Sequence, residues 1–264
     1  MNQEHLNANR QMWDARASFH PETEMYDNSA FLQGKSSLMP IELEALGDVS
    51  GKRLLHLQCH FGQDTLSWAR LGAEATGLDF SGTAIATARS MNERLGLNAR
   101  FIQANVLELQ PELEGQFDIV FTSYGVLIWL NNLAPWAEAV ARYLRPGGVF
   151  CIVEFHPTLM ILDFENNRIG YPYFNDGNPI IEVVKGSYAQ PDAPFTHTEY
   201  TWQHSLSETL TALLDQGLQL EAFREYPYSP YNCFANMEPA GNGMYRCTGI
   251  EAIPHVFMLK MRKK

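Results

Sequence analysis

The chain is short of cysteine, of positive charge and of long apolar runs. Its four cysteines, Cys59, Cys151, Cys233 and Cys247, are widely spaced with no CxxC pair. That argues against a structural zinc site or a disulfide framework and for reduced thiols, so no metal is expected and a cytoplasmic setting is. Lysine and arginine number 19 against 30 aspartates and glutamates, a net charge of −11. Such a chain lacks the basic face that displaces counterions from nucleic acid, and it suits an anionic membrane surface no better. No run of about 18 apolar residues is there to span a bilayer. The opening MNQEHLNANRQMWDAR is polar, without the apolar stretch of a secretory signal. The expected partner is a small molecule; oligomeric state is not legible.

What is present is an ordinary soluble composition, 264 residues with 45% apolar and 19% charged. From Lys52 the pattern alternates in type. Arg53–Leu57, Ala75–Leu78, Ala99–Gln103, Phe117–Ser123 and Val149–Phe155 read as strands. Between them Asp64–Leu71, Gly82–Leu95 (with Ser81 as its cap) and Pro135–Tyr143 read as helices. Alternation over a hundred residues predicts a parallel sheet with right-handed crossovers. Ahead of it, Asn2–Ala17 and Lys35–Leu46 read as helices flanking the aromatic segment of Phe19, Tyr26 and Phe31. Beyond Phe155 the rhythm breaks into an aromatic, proline- and glycine-rich excursion that suits a short antiparallel ribbon. A helix from Ser205 to Leu214 follows, then strands Leu218–Glu225 and His255–Arg262 around a tyrosine-rich loop. One domain is expected: residues 1–50 a helical cap, 51–155 the cofactor-binding core, 156–203 an inserted substrate cap and 204–264 a C-terminal helix and strand pair.

The chemistry concentrates in the run Leu54–Asp64, LLHLQCHFGQD, an apolar strand running into a turn at Gly62. Asp79 ends the next strand, 21 positions after Gln58, where a carboxylate takes the ribose hydroxyls of a nucleotide ligand. Gln58 and His60 carry bulk where a dinucleotide site has glycines, which disfavours a pyrophosphate and favours a phosphate-free ligand. The third strand leads into Asn105 and Val106, the fourth ends at Ser123 and Tyr124, and Leu144–Gly148 spells LRPGG. All the strand C-termini lie on one edge, where ligands sit in open α/β sheets.

These motifs, over about residues 50–156, resemble a class I S-adenosylmethionine-dependent methyltransferase of small-molecule type. The glycine-rich first motif of that family corresponds to LLHLQCHFGQD, its acidic second motif to Asp79 and its later LRPGG block to Leu144–Gly148. Where His56 stands, the family usually has an acid. The resemblance implies a doubly wound, mostly parallel seven-stranded Rossmann-like α/β sheet with an antiparallel C-terminal strand and helical or loop caps. It implies S-adenosylmethionine as cofactor and in-line methyl transfer to a small-molecule acceptor. It places the methionine portion on the turn around Gln58, His60 and Gly62, and the ribose on Asp79 beside Phe80. It places adenine on Asn105 and Val106, and Ser123 and Tyr124 near the sulfonium. Trp13 and Tyr26, with Phe31, are candidates to cover the cofactor. His156, directly after the fifth strand, and Tyr124 are the candidate bases. Two other readings stay open on the residues alone. One is a nicotinamide-dependent oxidoreductase on a similar fold; the other is a non-catalytic S-adenosylmethionine-binding protein.

Overall fold

The computed structural model of the chain describes residues 2–164, 168–250 and 252–264. Three helices, α1 (Gln3–Phe19), α2 (Asn28–Leu32) and α3 (Pro40–Leu46), precede the sheet. The core then runs β1 (Arg53–Leu57), α4 (Gln63–Arg70), β2 (Glu74–Asp79), α5 (Gly82–Leu95), β3 (Arg100–Gln103), β4 (Phe117–Ser123), α6 (Leu133–Tyr143) and β5 (Leu144–Phe155). After a short α7 (Pro157–Met160) come two ribbons, β6 (Leu162–Asp163) with β7 (Arg168–Ile169) and β8 (Ile180–Lys185) with β9 (Thr196–Thr201). The chain closes with α8 (Leu206–Asp215), β10 (Leu218–Tyr226), a hairpin of β11 (Met237–Gly241) and β12 (Met244–Cys247), and β13 (Val256–Lys263).

Seven strands form one sheet in the order β10-β13-β5-β4-β1-β2-β3. Strands β1 to β5 pair in parallel, and β13 runs antiparallel to both β5 and β10. This is the doubly wound, mostly parallel sheet the resemblance implies. Strand alternation divides the core between the two faces. Leu55, Leu57 and Val120 pack under α6 and α8 with Trp136 and Leu213, while Leu54, Ile119 and Phe121 pack under α3 and α4 with Ile41, Leu46 and Trp68. Chain order reverses between β1 and β4, which makes the crevice at their C-terminal ends the natural ligand position.

Local signals account for most elements. Ser81 Oγ accepts the Ala84 N–H at the start of α5, and Gly96 in the left-handed region ends it. Some boundaries differ from the pattern. The helix expected over 35–46 begins only at Pro40, because a residue before proline is driven out of the helical region and proline favours the first helical position. Leu144 already pairs with Phe117, so β5 starts within the LRPGG block instead of at Val149. The tyrosine-rich loop contains the β11–β12 hairpin, turned by Asn242 and Gly243, both at positive φ.

Two side chains of α1 clamp it over the sheet edge. Asn9 pairs with the backbone of Tyr200 through both its amide atoms (2.7 and 3.0 Å), acting as a surrogate residue on the edge of β9. Asp14 accepts from Ser81 Oγ at 2.6 Å and the Thr83 N–H at 3.1 Å, placing a carboxylate at the N-terminus of α5. No helix among the described residues is long and apolar enough to cross a membrane.

Candidate active site

The turn after β1 holds three left-handed residues in alternation: Gln58 at φ 54°, His60 at φ 50° and Gly62 at φ 84°. The two non-glycine residues therefore take the backbone shape glycines would take, each at a cost on the order of 1–2 kcal/mol. Their side chains and amides supply offsetting bonds. Gln58 Nε2 donates to the Val126 carbonyl at 3.0 Å, the His60 N–H donates to Asp79 at 2.8 Å, and the His60 ring meets His20 Nδ1 at 3.0 Å. Burial pushes His20 down to about 2 and His60 down to about 3, so this is a bond between two neutral rings.

A cavity of about 380 Å³ opens over this edge of the sheet, within the roughly 300–1,000 Å³ typical of small-molecule sites. Gln58, His60, Gly62, Asp79, Phe80, Asn105, Val106, Ser123, Tyr124, Trp13 and Tyr26 all contribute to its wall. Asp79 is only 7% exposed. Its carboxylate accepts from the His60 and Ser81 N–H groups at 2.8 and 2.9 Å, and burial still pushes it up to about 6. Each oxygen retains a second lone pair for a ligand hydroxyl. Asn105 Oδ1 accepts the Leu107 N–H at 3.1 Å in an Asx turn that sets the Val106 backbone against the cavity. Trp13 lies edge-on to His60 and Trp129, and the Tyr26 hydroxyl meets that of Tyr188 at 2.6 Å, so α1 and the segment after β8 jointly roof the turn.

The structure separates the two candidate bases. His156 does not form the cavity wall. It is buried, its Nδ1 accepts the Thr158 N–H at 3.1 Å as the cap of α7, and its Nε2 faces Glu225 at 2.8 Å. The next residue after a strand's end need not face the crevice, and here a local cap captures the ring. Tyr124 does reach the cavity, but its hydroxyl donates to Glu42 at 2.9 Å, and burial pushes its pKa well above 10. Its φ of 35° is held by an N–H bond to the Val153 carbonyl at 2.8 Å. His56 is a satisfied core histidine, bonded to Thr65 at 2.9 Å and 3.4 Å from Ser123 Oγ.

Sequence reasoning missed two acids, one fully buried and one half-buried. Glu42 is fully buried, accepting the Met39 N–H at 2.7 Å and the Tyr124 hydroxyl. Asp64, in the first turn of α4, accepts from Ser37 Oγ at 2.6 Å and Ser123 Oγ at 3.1 Å. Their partners come from segments far apart in the chain, so no local pattern announces them. Burial pushes Glu42 up to about 8 from 4.5. A raised carboxyl pKa means that folding becomes less favourable as pH rises from the unfolded value through the folded one. Glu42→Gln is expected to match the wild type near pH 4 and to exceed its stability by about 2–4 kcal/mol at pH 8. Tyr124 keeps a partner because its hydroxyl can turn to accept from the new amide. Urea midpoints across that pH range test this; parallel profiles would show that Glu42 is ionised in the fold at little cost.

Glu154 is a structural anchor. Its buried carboxylate accepts the N–H groups of Val126 and Leu127 at 2.8 and 3.1 Å and that of Gly125, fixing the cavity wall after β4.

Residues 54–148, from β1 to the end of the LRPGG block, match a family described as a methyltransferase domain. A demethylmenaquinone methyltransferase of Lactococcus lactis is 34% identical over 124 residues, 45% of this chain and 48% of that protein. A ubiquinone biosynthesis O-methyltransferase of Bordetella pertussis is 29% identical over 222 residues, 83% of this chain and 79% of that one. The Bordetella pertussis protein apart, the chain spans about half the length of the curated relatives it matches. Among solved structures, an S-adenosylmethionine-dependent methyltransferase from Mesorhizobium loti superposes with a TM-score of 0.57 at 19% identity, covering 88% of this chain and 100% of that chain. A geranyl diphosphate C-methyltransferase from Streptomyces coelicolor gives 0.55 at 13% identity, covering 90% and 79%. At those identities the structures speak for the fold. The domain match across the turn, Asp79 and LRPGG likens residues 54–148 to a methyltransferase domain, on a fold shared with the solved S-adenosylmethionine-dependent methyltransferases.

Proposed function

We propose that this chain transfers a methyl group from S-adenosylmethionine to an apolar, uncharged or cationic small molecule in the cytoplasm. The observation that carries the reading is the cavity at the β1–β4 switch point, whose wall carries Asp79 and Gln58. S-adenosylmethionine, when bound, supplies an activated methyl group whose leaving group is a neutral thioether.

The chain's own residues then bind, orient and exclude water. Asp79 is set to take the ribose hydroxyls, and Asn105 with Val106 to take the adenine. Trp13, Tyr26 and Tyr188 close the turn against solvent, and holding two reactants in line lowers a barrier by about 7–11 kcal/mol. The rest of the cavity is lined by Met39, Phe155, Met160, Tyr231 and Phe234. Lys35 is the only Lys or Arg among the described lining residues, and Asp27 holds it at 2.9 Å. Nothing there offers a free cation to a carboxylate or phosphate, and nucleic acid is disfavoured for the same reason. Incubation with methyl-labelled S-adenosylmethionine and a panel of neutral, cationic and anionic small aromatics tests the proposal. Label is expected in neutral or cationic members; labelling confined to anionic ones, or none with no binding of donor or demethylated product at millimolar concentration, overturns it.

A further inference from the structure

Tyr124, Phe155, Tyr231 and Phe234 make one aromatic stretch of the cavity wall. Tyr124 and Tyr231 meet edge-on at 5.0 Å, Phe155 and Phe234 at 4.9 Å, and Tyr124 joins the two pairs through Phe155 at 5.9 Å. An aromatic face attracts a cation, most strongly where water is excluded. A carboxyl group lies behind this wall. The Tyr124 ring lines the cavity while its hydroxyl donates to Glu42 at 2.9 Å. The titratable groups facing Glu42 are Tyr124 after β4, Tyr231 after β10, Cys151 in β5 and Asp64 in α4, all neutral or negative. Lys260 of β13 donates instead to the Ala45 carbonyl at 2.9 Å. Among the described residues no lysine or arginine is bonded to Glu42, whose partners are the Met39 N–H and the Tyr124 hydroxyl.

We propose that this stretch of wall takes an amine as methyl acceptor, with Tyr124, Tyr231, Phe155 and Phe234 around its nitrogen and Glu42 as the countercharge behind Tyr124. This rests on the cofactor reading above and narrows the acceptor to a basic nitrogen. Glu42 is a positioning residue, because it is fully buried and acts through the Tyr124 hydroxyl. The neutral amine's lone pair forms the new N–C bond as the C–S bond breaks and its electron pair stays on sulfur. Positive charge thereby passes from sulfur to nitrogen, and a primary or secondary amine then releases a proton to solvent. A wall that attracts an ammonium is complementary to the charge that grows on nitrogen in the transition state. Burial holds Glu42 up to about 8, so near pH 7 its carboxyl keeps a proton. A cation against Tyr124 favours the ionised form and draws that value down. Binding of an ammonium is therefore coupled to loss of the Glu42 proton, and it strengthens as pH rises toward 8.

The test uses two probes of one shape. Choline is a fixed cation that cannot titrate; 3,3-dimethyl-1-butanol has carbon in place of its nitrogen. Calorimetry is run on protein saturated with S-adenosylhomocysteine. Choline is expected to bind at least about tenfold more tightly than the alcohol at pH 8. Its affinity is expected to rise roughly 3- to 10-fold from pH 6.5 to 8.5, with proton release read from the enthalpy in buffers of different ionisation heat. Glu42→Gln is expected to abolish the rise and the proton release, and to weaken choline about tenfold at pH 8.5 while leaving the alcohol within about twofold. Equal affinities for the two probes, or neither bound at about 50 mM, would overturn the inference. So would a choline profile that Glu42→Gln leaves unchanged. A wild type that does not bind S-adenosylhomocysteine at millimolar concentration would overturn the cofactor reading, and the inference with it.

Discussion

Gly62→Ala is expected to destabilise the fold by about 3 kcal/mol and to weaken binding of S-adenosylhomocysteine by more than tenfold. Two independent constraints act on this residue. At φ 84° an L side chain is strained by about 1–2 kcal/mol. A Cβ there would also lie 2.7 Å from Phe101 Cε1 and 2.9 Å from Ala88 Cβ, and overpacking of that kind costs about 1–3 kcal/mol. Phe101 cannot retreat, because its ring fills the space left by the absent side chain of Gly77, whose own Cβ would meet it at 2.8 Å. The substitution must therefore push the turn away from α5 and toward the cavity, which couples stability to binding. Urea unfolding with an unchanged m-value, alongside calorimetry, measures both. A loss below about 0.5 kcal/mol would show that the turn is not wedged as described.

That constraint explains what the sequence reveals of the site and what it hides. Gly62 is the glycine the packing cannot spare, whereas Gln58 and His60 pay for their left-handed backbone with bonds to Val126, Asp79 and His20. Reading glycine as a proxy for positive φ thus underestimates the turn: its shape persists where the residue type has changed. Strands β1, β2 and β4 and helix α5 are legible because each carries its own periodicity and, for α5, its own cap. The start of α3 is legible only through Pro40. Asp79 is found because its position follows from chain order along the sheet. Glu42 and Asp64 are not found, because their significance lies in Tyr124, Ser37 and Ser123, brought to them by packing. His156 shows the same limit, since chain position puts it at the correct edge and only its cap with Thr158 and its bond to Glu225 decide where the ring points.

Asp79→Ala separates binding from stability more sharply than any other substitution in the site. Removing the carboxylate leaves the His60 and Ser81 N–H groups without their acceptor, at about 1–3 kcal/mol each. It also removes a buried acid pushed up to about 6 from 3.8, roughly 2 pH units or about 3 kcal/mol of ionisation cost relieved at pH 7. These effects oppose each other, so the net change in stability is expected to stay within about 2 kcal/mol. No such cancellation protects binding: under the proposed ribose role, two charge-assisted bonds would be lost and affinity for S-adenosylhomocysteine should fall at least about 100-fold. The pH dependence carries the same signature. Because the folded pKa is raised, Asp79 disfavours the fold above about 6, and this burden lifts as pH falls from about 6 toward 3.8. Ribose binding runs the other way, weakening below about pH 6 as the carboxylate gains a proton. Asp79→Asn is expected to flatten this contribution to both profiles. Calorimetry and urea unfolding between pH 4.5 and 7.5, on wild type and both variants, read the two slopes. If binding and stability fall together on acidification in a way that depends on Asp79, the carboxylate is a structural anchor and the ribose assignment fails.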